Sequence, residues 1–124
     1  MPRYPGLTLR ILARGSPAIG PGKAALVSHI DETGSISAAA RAMGMSYRRA
    51  WQLVDALNES FSQPVILTEI GGRRGGGARV TEFGRELVEA YHRMEHKASA
   101  VIARDLREFN RHIRRPGTTG SGKR

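Results

Sequence analysis

Cysteine is absent from the 124 residues, which excludes disulfide bridges and thiolate metal sites. No apolar run approaches the roughly 20 residues that a membrane-spanning helix needs. Nor does an apolar stretch follow Met1-Pro2-Arg3-Tyr4-Pro5-Gly6 that would serve as a signal peptide. A soluble, cytoplasmic protein with no membrane partner is therefore expected. Acidic side chains are also scarce: 11 Asp+Glu stand against 20 Lys+Arg, a formal charge of +9 and a pI near 11.2. That excess favours a polyanionic partner, nucleic acid first and an anionic membrane surface second. The charge is uneven. Residues 1–70 carry seven basic and five acidic side chains, whereas residues 71–124 carry thirteen and six. A chain of this length supports one domain, with at most an extra helix and a tail.

Leu7 to Ala13 reads as a short strand with Leu7, Leu9 and Ile11 on one face. Gly15-Ser16-Pro17 and Gly20-Pro21-Gly22 then break the chain. A first helix follows from about Pro21, which suits a first turn because its missing N–H is not needed there. Ala25, Leu26, His29 and Ile30 lie at helical spacing, and Gly34 stops the helix. Ser35 or Ser37 caps a second, short helix built on Ala38-Ala39-Ala40, whose lack of bulk lets another helix approach closely. Gly44 ends it, and Ser46 caps a third helix running to about Phe61. A short helix, a glycine turn and a longer helix form the pattern of a helix-turn-helix.

Projected at helical spacing, the third helix sorts Tyr47, Ala50, Trp51, Leu53, Val54, Leu57, Asn58 and Phe61 onto one broad, mostly apolar face. Arg48, Arg49, Gln52, Asp55, Ala56 and Glu59 share the other. Its bases precede its acids, the reverse of what the helix dipole favours. The order makes sense if the N-terminal end faces phosphates and bases. A recognition helix presents such side chains from its first turns to the major groove, where Arg reads guanine and Gln reads adenine. The expected base-reading set is Arg48, Arg49 and Gln52, with Tyr47 at the margin and Ser37 and Ser46 beside it at the helix starts. A three-helix bundle with solvated arginines is the plainer alternative.

Val65 to Ile70 and Ala78 to Thr81 read as strands around a glycine- and arginine-rich tip, Gly71 to Gly77. A phosphate-binding loop must run from a strand into a helix N-terminus. Here strand pattern resumes, so a wing is expected, with Arg73, Arg74 and Arg79 on the DNA backbone or in the minor groove. From Thr81 one long helix is expected to about Arg115, stopped by Pro116-Gly117. Leu87, Tyr91, Met94, Ala98, Val101, Ile102, Leu106 and Phe109 form a coiled-coil-like stripe along it, with one shift near Val101–Ile102. Such a stripe calls for a second copy of the chain.

Two strings look catalytic. His92-Arg93-Met94-Glu95-His96 matches the H-x-x-E-H pattern of one zinc peptidase class, but no third ligand or substrate cleft accompanies it. Gly117 to Lys123 matches most of a phosphate loop, yet Arg124 stands where Ser or Thr would hold magnesium. Neither is retained. No enzyme activity, metal or cofactor is expected. The alternatives are a winged-helix interaction module for an acidic protein partner and a metal-dependent hydrolase on His92, Glu95 and His96.

The runs GPGKAAL (20–26), IDETGSISAAARAMGMSYRRAWQLVDALN (30–58) and GGRRGGGARVTEFGREL (71–87) resemble the DNA-binding domain of ModE-type molybdate-responsive regulators. That family is related in fold to the LysR-type helix-turn-helix. The resemblance implies a dimer, formed through helices flanking the DNA-binding core, that binds inverted repeats in double-stranded DNA. It sets Ser46, Tyr47, Arg48 and Arg49 at the start of the recognition helix and 73–77 at the wing. Longer members continue into β-barrel domains that bind molybdate or tungstate. Nothing after Pro116 matches such a domain, so molybdate binding by this chain is not expected. The expected fold is α+β, mostly α: a winged helix-turn-helix over 1–81 with its wing at about 65–81, a long dimerisation helix over 82–115, and a disordered tail over 116–124.

Overall fold

The computed structural model describes residues 6–69, 77–114 and 116. The strand predicted over 7–13 narrows to β1 (Ile11–Ala13), and the cluster read as a break turns it back into β2 (Ser16–Ile19). The two pair antiparallel, Ala13 opposite Ser16. Arg14 and Gly15, with φ of 54° and 84°, close the turn in the left-handed conformation that tight two-residue hairpins require. Ala18 and Ile19 on the returning strand are buried, which is why a Gly-Ser-Pro stretch becomes a strand here.

Helix α1 (Pro21–Thr33) begins at Pro21 and ends where Gly34, at φ 69°, donates its N–H to the Ile30 carbonyl at 2.7 Å. Its buried face is Ala24, Leu26, Val27 and Ile30. Ala25 and His29, expected on that face, are only half-buried. In α2 (Ile36–Ala42) the cap is Ser35, whose Oγ accepts the Ala38 N–H at 3.0 Å. Ala39 and Ala40 are fully buried, so the alanine run does bring neighbouring helices close. Gly44, at φ 68°, makes the turn. Ser46 Oγ then accepts the Arg49 N–H at 3.0 Å to open α3 (Tyr47–Ser60).

Strands β3 (Ile66–Glu69) and β4 (Gly77–Val80) form the second antiparallel hairpin, from Ile66 opposite Val80 to Glu69 opposite Gly77. The tip between them, with Arg73 and Arg74, lies outside the described residues, as does the tail other than Pro116. Asn58 of α3 fastens the helix to this hairpin through the backbone of Val65 and Ile66. The Gly34 carbonyl accepts the Ala78 N–H at 3.0 Å, joining the end of α1 to β4. One core, including Leu26, Ile30, Val54, Leu57, Ile66 and Val80, lies among these elements. Full burial of each large aliphatic side chain contributes about 1.5–3 kcal/mol.

The single helix predicted over 82–115 is two. Helix α4 (Glu82–Val101) starts on the Thr81 cap, whose Oγ1 accepts the Gly84 N–H at 2.9 Å. It stops at Ile102 (φ −100°, ψ 12°), and α5 (Ala103–Asn110) follows. The break coincides with the shift in the apolar stripe at Val101–Ile102. Beyond the break, Leu106 of α5 reaches the backbone at Gly6, where an added Cβ would lie 3.3 Å from Leu106 Cδ1.

Candidate nucleic-acid interface

The surface in question is the N-terminal half of α3. Its inner face, Ala50, Val54 and Leu57, is buried, while Arg48, Arg49 and Gln52 are exposed. The rigid side therefore sets the direction of the polar side. Trp51 is half-buried and packs against the core. Tyr47 departs from the apolar face assigned to it: it is exposed and meets Trp51 edge to face, ring centroids 6.2 Å apart. A phenol at the first helical position has no neighbouring turn to cover it, so it stands beside the arginines. Ser46 works as the α3 cap described above. Ser37, exposed in the first turn of α2, accepts from Arg41 Nη1 at 3.1 Å, which brings Arg41, a base the sequence did not single out, into view. Arg79 is exposed on β4 opposite Leu67.

Two further cations lie near this surface without having been expected there. Arg10, just before β1, and Lys23, in the first turn of α1, line a cleft together with Arg49 and Gln52; Arg48 is not among its lining residues. Burial, and then the charge of Arg49, hold the Lys23 ammonium below its ordinary pKa. The Pro-Gly-Lys string at a helix start was the only signal for Lys23, and Arg10 left none.

The expected dimerisation stripe divides. Tyr91 is 1% exposed, and its hydroxyl donates to the Leu9 carbonyl at 2.7 Å; Leu87 packs on the same core. Tyr91 is thus covered inside its own protomer, a correction to the stripe as predicted, while Leu87 is half-buried. Ala98, Ile102 and Leu106 are half-buried, whereas Met94, Val101 (81% exposed), Phe109 (66%) and Ile113 face outward. Periodicity gave the stripe but not which chain covers each residue.

In the H-x-x-E-H string, His92 Nδ1 pairs with Glu95 Oε1 at 3.0 Å, and Glu95 is buried. Among the described residues no group of three or more His, Asp or Glu is placed to hold a metal. No helix among them is long and apolar enough to cross a membrane.

Residues 23–85 match the model of the bacterial regulatory helix-turn-helix proteins of the lysR family. The chain is 40% identical over 83% of its length to the molybdenum-pterin-binding protein MopB of Rhodobacter capsulatus. It is 33% identical over 68% of its length to the DNA-binding transcriptional dual regulator ModE of Escherichia coli. It spans 37% and 34% of those relatives. The full-length LTTR LysG of Corynebacterium glutamicum, solved with bound effector Arg, shares the fold, with a TM-score of 0.51 and 22% identity over 75% of this chain and 30% of that one. The resemblance to ModE-type regulators thus extends along most of the sequence, the fold is a winged helix-turn-helix, and the chain belongs to the bacterial regulatory helix-turn-helix proteins of the lysR family.

Proposed function

We propose that the protein is a homodimeric, sequence-specific regulator of transcription, acting in the cytoplasm on double-stranded DNA, and not an enzyme. Helix α3 enters the major groove with Arg48, Arg49 and Gln52 toward base edges, while the β3–β4 hairpin, through Arg79 and the tip arginines Arg73 and Arg74, follows the backbone. Two copies, joined through the outward apolar residues of α4 and α5, read an inverted repeat with half-sites one helical turn or a multiple apart. The observation that carries this reading is the exposure of Arg48, Arg49 and Gln52 on a helix whose other face is locked into the core. The excess of positive charge supports it.

The test is selection of bound duplexes from a random pool, with and without molybdate in parallel. A palindromic consensus is expected. Binding to every polyanion alike, with no consensus, would overturn sequence-specific reading and favour an acidic protein partner. A change of consensus or affinity with molybdate would overturn the expectation that this chain does not sense it.

A further inference from the structure

Between the β1–β2 hairpin, the first turn of α1 and one side of α3 lies a cleft of about 470 Å³. Arg10, Lys23 and Arg49 line it with Gln52, and no acidic residue does. Among the described residues Arg85 pairs with Asp31 and Arg111 with Glu108, while His29 and His92 lie against Glu32 and Glu95. None of these contacts includes the three cleft cations. Three like charges thus line one cleft with no counterion among the described residues.

Their placement is built by the fold. The Arg10 side chain runs along Gly20, where an added Cβ would lie 3.4 Å from Cγ and 3.7 Å from Nε. Lys23 Nζ donates to the Pro17 carbonyl at 2.9 Å, which holds the ammonium at the hairpin and leaves two of its three N–H donors. Arg49 projects from α3, whose register the core sets. Gly20 brings no capping side chain to α1, and the first turn holds no acid, so the dipole adds to the positive potential instead of offsetting it. At Gly22 the space beside the backbone is open. Mutual repulsion of this kind is relieved by an anion that accepts several N–H donors at once.

We infer that this cleft binds a phosphate-type oxyanion, held by Arg10, Lys23 and Arg49, with Gln52 as a further donor. Two sources share that chemistry: a DNA backbone phosphate beside the groove that α3 enters, and a free inorganic oxyanion. Only the first rests on the function proposed above. Arg49, with five N–H donors, serves both the groove wall and the cleft.

The experiment has two arms, both on the 124-residue chain. In the first, without DNA, inorganic phosphate is titrated against chloride at matched ionic strength and followed by amide NMR. Saturable shifts at Gly22 and Lys23 with phosphate alone are expected. Arg10→Gln and Lys23→Gln should each weaken binding about tenfold, the loss of one charge-assisted contact, and Arg107→Gln on α5 should not. In the second arm, affinity for a labelled duplex pool is measured against salt. If a DNA phosphate is the occupant, the slope of log affinity against log salt falls by about 1 in both cleft variants, and this alone assigns the site to DNA. Phosphate binding with an unchanged slope assigns it to a free oxyanion. Identical, non-saturating shifts with both salts, together with unchanged slopes, would overturn the proposal. Should Lys23→Gln fail to fold, Arg10→Gln, at an exposed position, still decides it. Should the chain bind no DNA at all, the proposed function fails while the first arm still judges the cleft.

Discussion

Asn58 and Ile66 are joined in both directions: Asn58 Nδ2 donates to the Ile66 carbonyl at 2.9 Å, and its Oδ1 accepts the Ile66 N–H at 3.1 Å. The same Oδ1 accepts the Val65 N–H at 2.8 Å. One amide side chain thus satisfies the start of β3 and fixes the angle between α3 and the hairpin.

Replacing it leaves those backbone groups, on the buried residues Val65 and Ile66, without partners. Asn58→Ala should lower stability by about 2–3 kcal/mol, read as a fall in the urea midpoint. Because the hairpin is no longer held against α3, DNA affinity at a temperature where the variant is folded should fall as well. An unchanged midpoint would show that the three bonds are replaced by water without loss.

Gly84→Ala sets two effects in opposition. Alanine improves helix propensity by about 1 kcal/mol, but a Cβ here would lie 2.6 Å from the Val65 carbonyl oxygen and 2.9 Å from Val80 Cγ1. Backbone cannot yield as a flexible side chain can, and overpacking costs about 1–3 kcal/mol. Net destabilisation is expected by thermal melting. Gly22→Ala, where nothing lies within 4 Å, should show no such loss.

Tyr91 titrates abnormally. Burial first, and then the negative charge of Glu95, push the phenol up to about 12. The folded state therefore favours the protonated phenol. The stability this contributes is complete below pH 10, the ordinary value, and is lost as the pH rises from 10 through 12. Tyr91→Phe should remove this part of the alkaline loss and, with the bond to Leu9 gone, lower stability at neutral pH by about 1 kcal/mol. Denaturant midpoints of both proteins across that range make the comparison; parallel curves would count against it.

Arg48→Ala should relax the base preference at one position by about 1–3 kcal/mol, whereas Arg79→Ala or Arg73→Ala should weaken all duplexes alike and flatten the salt slope. Binding to the selected site and its single-base variants separates the two. Interchanged effects would reverse the roles of helix and hairpin.

Val101 and Phe109 are largely exposed within the protomer, so a double change to Glu should leave the fold intact while dissociating the proposed dimer. Sedimentation should then show a monomer with unchanged helicity. A dimer that survives would move the interface elsewhere.

Local chemistry made much of this legible. Ser46 and Thr81 accept the N–H groups that cap α3 and α4, and Gly34 and Gly44 take the left-handed turns that end α1 and α2. Such signals act within a few residues, so they can be read along the chain. The β2 strand was missed because Gly15 and Pro17 mark a turn whichever way the chain leaves it.

From the sequence alone came the helix-turn-helix, the exposed cationic start of α3 and the excess of positive charge. Only the tertiary structure decided that Tyr91 belongs inside its own protomer while Phe109 faces out, that the last helix breaks at Ile102, and that Arg10, Lys23 and Arg49 share one cleft. Caps and amphipathic faces depend on neighbours a turn away. Which surface covers a stripe, and which charges meet, depends on segments far apart in the chain, and no local period encodes that distance.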